Sequence, residues 1–120
     1  MTITLDQART AHAAATAAGS AAAIMFADQH FNGKDGGCCG FAWTTFTPEN
    51  KGNTKLGKAE RKLFEQIGYR KDYTGKAWQC WNPAQWGGQS IDAKMSGAVA
   101  YAKKFTELTG VRISVGERVD

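Results

Sequence analysis

The chain has little of what most catalytic or metal-binding machinery needs: three cysteines (Cys38, Cys39, Cys80) and two histidines (His12, His30). Adjacent cysteines cannot easily bridge each other, so an odd set containing such a pair does not build a disulfide framework and fits a reducing compartment. Both histidines fall near the N-terminus and no paired Cys-x-x-Cys elements occur, which leaves a four-ligand zinc site short of ligands. Neither metal nor cofactor is expected. No apolar run approaches the length of a membrane span. The start, MTITLDQART, carries Asp6 and lacks the basic region of a secretory signal. These features predict a cytoplasmic protein with no membrane partner.

The carboxylates Asp35, Glu49, Glu60, Glu65 and Asp72 are scattered, with no spacing that pairs an acid with a base. GKDGGCCG lacks the Lys-Ser/Thr ending of a phosphate-binding P-loop and precedes a strand rather than a helix. Cys38 or Cys39 with His30 as base is a conceivable nucleophile, but inert thiols are the plainer reading. No catalytic residue is assigned, and a protein that does not turn over its ligand is expected.

What is present is enough for one domain: 120 residues, 42% of them hydrophobic, with a formal charge of +4 that favours anionic partners. Thr4 and Gln7 form a capping-box pattern ahead of an alanine-rich helix that should fill residues 1–33 from about Leu5, with a kink at Gly19-Ser20. Its small-residue stripe, Ala8, Ala11, Ala15, Ala18 and Ala22, suits close helix packing within the chain or across a dimer. FAWTTFT (residues 41–47) reads as a strand. Thr54 caps a helix with Leu56, Ala59, Leu63 and Ile67 on one face, Gly57 as a flaw and Gly68 as the stop. A hairpin follows around Thr74-Gly75, with Lys76 to Trp81 as its second strand. Ser90 caps a third helix ending at Gly110, and VRISV alternates as a last strand. The fold expected is a compact α+β domain: a long N-terminal helix, two further helices and a sheet of three to four strands whose order is open.

The stretch WNPAQWGGQS, residues 81–90, is the candidate ligand site. A helix N-terminus carries unpaired amides and partial positive charge, and Gly87 and Gly88 would let an anion reach the backbone of Gln89 and Ser90. Trp78, Trp81 or Trp86 could stack a base, with charge from Arg70, Lys71, Arg112 or Arg118. The alternative is structural: Asn-Pro makes ordinary turns, Ser90 an ordinary cap, and strand tryptophans are usually core.

The order of CGFAW (Cys39 to Trp43), Trp81-Asn82-Pro83, Gly88-Gln89-Ser90 and Gly116 to Asp120 as Gly-x-Arg-x-Asp resembles small proteins of tailed bacteriophages and prophages. The resemblance covers residues 38–120 and not the alanine helix. It implies a counter-defence protein in the bacterial host cytoplasm that sequesters a small anionic nucleotide signal, as a homo-oligomer. Two alternatives are an inhibitor that docks on a host defence protein and a single-stranded nucleic-acid binder.

Overall fold

A computed structural model describes residues 3–33 and 36–119. The order is α1 (Leu5–Phe31), β1 (Gly40–Phe46), α2 (Lys55–Gln66), β2 (Arg70–Lys71), β3 (Trp78–Trp81), α3 (Ile91–Thr109) and β4 (Ser114–Val119). All pairings are antiparallel, in the order β2-β3-β1-β4, so β1 is central and the domain is α+β as expected.

Helix α1 starts on the predicted capping box: the Gln7 amide donates to Thr4 Oγ1 at 3.1 Å and the Thr4 amide to Gln7 Oε1 at 2.8 Å. Its buried positions are Ala8, Ala11, Ala15, Gly19, Ala23 and Ala27. From Ala11 onward these recur every four residues, so the contact follows an i+4 ridge and Ala18 and Ala22 fall to its flank. The helix runs uninterrupted through Gly19 and Ser20. These residues mark a helix crossing instead of the expected kink. A Cβ on Gly19 would lie 2.8 Å from the Gly97 carbonyl of α3, and one on Gly97 would collide with Ala84. Ser20 Oγ donates to the Ala84 carbonyl at 2.6 Å. The small-residue stripe is thus consumed inside the chain, against α3, and a homo-oligomer would have to use another surface.

Helix α3 packs on both α1 and the sheet. Between them lies a core of Phe46, Phe64, Tyr69, Trp78, Tyr101 and Phe105, with Phe46 and Phe64 stacked at 3.7 Å. Polar groups inside it are chained. Thr44 Oγ1 and Tyr69 OH share a hydrogen bond of 2.9 Å, Tyr69 OH donates to Tyr101 OH at 3.2 Å, and Tyr101 OH meets His12 Nδ1 at 2.6 Å. Burial pushes both tyrosines far above the usual phenol range and lowers the His12 pKa.

Expectations for α2, β3 and β4 change here. In α2, Leu56 and Ala59 face solvent; the buried face is Gly57, Glu60, Leu63 and Phe64, continued by Ile67. Gly57 is a requirement rather than a flaw, because a Cβ there would run into the Lys51 carbonyl. The same loop is held by the Glu60 carboxylate, 2% exposed, which accepts from the Glu49 and Asn50 amides at 3.1 and 3.0 Å. Strand β3 starts at Trp78, two residues later than expected. The last strand is shifted by three residues: Val111 and Ile113 are buried as their alternation requires, yet laddering begins at Ser114 opposite Thr45. Strand β1 ends at Phe46, so Val111 and Arg112, which the register would set opposite Pro48 and Thr47, have no strand to pair with. The segment Gly116 to Val119, beyond the VRISV run, is strand.

Candidate functional site

Strand β1 buries alternate residues, Gly40, Ala42, Thr44 and Phe46, beneath the helices. Its other residues, Phe41, Trp43 and Thr45, point to the opposite face. Register extends that face across the sheet: Trp43 is opposite Trp81, Thr45 opposite Gln79 and Ser114, Phe41 opposite Arg118, Trp43 opposite Gly116, and Gln79 opposite Arg70. The outward set therefore holds three aromatic rings and two arginines, with no carboxylate, histidine or thiol.

The rings form one cluster. Trp43 and Trp81 stack with centroids 4.8 Å apart and planes 29° apart, and Phe41 meets Trp81 edge-on at 5.7 Å. Trp81 remains 49% exposed despite that contact, so its indole still offers surface to a ligand. Gly116 makes room for Trp43, since a Cβ there would lie 2.6 Å from the indole Nε1 and Cε2. Arg118 and Lys94 hold their cations 5.5 and 5.3 Å from the Phe41 centroid, and Lys94 Nζ also donates to the Gly40 carbonyl at 2.9 Å. At the far end, past Thr45 and Ser114, the face runs into a groove of about 520 Å³ lined by Thr47, Glu49, Thr109 and Arg112.

The sequence-predicted residues are split by this geometry. Trp81, Arg70 and Arg118 lie on the same outward face, the two arginines on its opposite edges, and Arg112 lines the adjoining groove. Trp78 does not belong to it: it is 1% exposed, donates from Nε1 to Glu65 Oε2 at 3.0 Å, and lies under the cations of Arg61 and Lys71 at 5.4 and 5.9 Å. Lys71 pairs with Trp78 and so sits on the inner side of β2.

Beside the anion cradle expected at Gly87 to Ser90, the chain itself takes up the first turn of α3. The Ile91 amide donates to the Cys38 carbonyl at 2.9 Å, the Ala93 amide to Ser90 Oγ at 3.2 Å, and the Gln89 carbonyl accepts from the Gly40 amide at 3.1 Å. Ser90 is 1% exposed. Trp86 is clamped through its backbone by Asn82, whose Nδ2 donates to the Trp86 carbonyl at 2.8 Å and whose Oδ1 accepts from the Trp86 amide at 3.2 Å. Ala84, carried by this turn, is the residue wedged between Gly19 and Gly97. The WNPAQWGGQS stretch is thus largely a joint that fixes α3 against β1 and α1. Gly87 and Gly88 lie within that joint, and neither has positive φ.

Sequence reasoning missed Phe41 and Trp43 as site residues. Their signal was the period of two, in which rings at 41 and 43 alternate with Ala42 and Thr44. It needed the pairing with Trp81 and Gly116 to become a surface.

Among the described residues no cluster of three or more His, Cys, Asp or Glu side chains could hold a metal, and no helix is long and apolar enough to cross a membrane. Cys38 and Cys39 are exposed, and burial pushes the half-buried Cys80 thiol up to about 11. His30, their suggested base, packs on Phe26 at 4.3 Å. No known family model matches the chain, and comparison with curated proteins and with solved structures finds no significant relative.

Proposed function

We propose that this protein binds a nucleotide-bearing ligand on the outward face of its sheet, without turning it over. The observation that carries the reading is the Trp43–Trp81 stack, set beside Phe41 on a face with Arg118 and Arg70 and no carboxylate. An exposed indole takes up a base through stacking worth about 1–3 kcal/mol, and arginine supplies charge-assisted hydrogen bonds to phosphate. The face offers planar surface and positive charge but no group placed to move a proton or form a covalent bond, which supports sequestration rather than catalysis. In the phage setting that the sequence pattern suggests, such a binder would withhold a nucleotide species from a host defence system.

Equilibrium dialysis against a mixed pool of mononucleotides, cyclic nucleotides and short oligonucleotides, read by mass spectrometry, tests this. The expected result is retention of nucleotide species that are recovered chemically unchanged, with retention lost in Trp81→Ala. Retention of none, or chemical alteration of the pool in proportion to protein, would overturn it.

A further inference from the structure

Resting on the nucleotide-binding reading above, we infer that the occupant of the sheet face is a single-stranded nucleic-acid segment rather than a small nucleotide. The first reason is shape. Small-molecule sites enclose most of their ligand, whereas the rings here lie on a sheet surface whose strands provide no facing wall. A lone nucleotide on such a surface keeps one side in water and gains little beyond one stacking contact. A strand gains that contact repeatedly.

The second reason is where the charges stand. Arg118 is on edge strand β4 opposite Phe41, and Arg70 is on the other edge strand β2, opposite Gln79 and hence level with Thr45. Three strand spacings of about 4.8 Å and four residues at about 3.3 Å separate them, a diagonal of roughly 20 Å with the Trp43–Trp81 stack between. A single nucleotide reaches one of these arginines. A strand of roughly three to four nucleotides reaches both, with bases over Trp81 and Phe41 and phosphates at the two corners. The net charge of +4 and the absence of a carboxylate from the outward set favour such a polyanion along its whole path.

A length series tests the inference: thymidine and uridine monophosphates against dT and rU oligomers of two, four and eight nucleotides, titrated by tryptophan fluorescence at several salt concentrations. Affinity should rise at least about 30-fold from the monomer to the tetramer and then flatten. It should fall with salt, the Arg70→Gln/Arg118→Gln double variant should reduce that salt slope by about two, and Trp81→Ala should weaken tetramer binding roughly ten-fold or more. Tyr73→Ala, at the fully exposed hairpin tip, should change nothing. Melting curves of each variant establish that it is folded. If mononucleotides bind as tightly as the octamer, the inference falls and the nucleotide-binding reading stands. If no member of either series binds, both fall. If Tyr73→Ala costs as much as Trp81→Ala, the face is not the strand's path and the inference falls.

Discussion

Trp78 and Trp81 are three residues apart on one strand and serve opposite ends. An odd separation places them on opposite faces, so Trp78 anchors the core through Glu65 while Trp81 stays half exposed beside Trp43. Gly116 is the least conspicuous residue this arrangement depends on. Gly116→Val should push the Trp43 indole off its seat and weaken nucleotide binding several-fold while shifting the melting temperature little, which calorimetric titration beside melting curves would show. At the other end of the core, His12 closes the Thr44–Tyr69–Tyr101 chain. With Tyr69 already donating to Tyr101, the Tyr101 proton is directed at an unprotonated His12 nitrogen, and protonating His12 would leave two donors facing one phenol oxygen. A histidine pKa lowered in the fold means that the unfolded chain binds the proton more readily. The stability it contributes is therefore complete above the unfolded value near 6.5 and is lost as pH falls below it. Denaturant midpoints should drop between pH 7.5 and 5.5, and His12→Gln should flatten that dependence.

At the scale of elements, the helix caps were the most legible feature of the sequence. Thr4, Thr54 and Ser90 each cap the helix assigned to them, because a side-chain oxygen next to free amides is a local interaction. Contacts made at a distance were not legible. Nothing near Gly57 announces that the Lys51 carbonyl will lie against it, and nothing near Gly88 or Ser90 announces that the Cys38 carbonyl will accept from the Ile91 amide while the Gly40 amide donates to the Gln89 carbonyl. The candidate site was half legible for the same reason: Trp81, Arg70 and Arg118 stood out by residue type, but only register brought Phe41 and Trp43 to them. Gly57→Ala reverses the usual propensity rule. An exposed mid-helix alanine would gain about 1 kcal/mol over glycine, yet here the chemical-denaturation midpoint should fall as the Lys51 loop is displaced. Ala15→Leu, at a fully buried position of α1, should cost about 1–3 kcal/mol by overpacking against α3, and sedimentation should show no change in subunit mass.

For the whole molecule, the helices are on one side of the sheet and the aromatic face is on the other, so folding and binding draw on separate sets of residues. Core and joint substitutions should change stability at constant affinity, and face substitutions the reverse. The four tryptophans divide accordingly: Trp43 and Trp81 belong to the face, Trp78 to the core, and Trp86 to the turn before α3. Their indole N–H resonances in a nitrogen–proton correlation spectrum, followed while a dT tetramer or a mononucleotide mixture is added, report on all four places at once. The account predicts that the Trp43 and Trp81 signals move in step with saturation while those of Trp78 and Trp86 stay near their starting positions. Movement of Trp86 together with the Gly87 to Ile91 amides, with Trp43 and Trp81 unmoved, would contradict it and place the ligand at the turn.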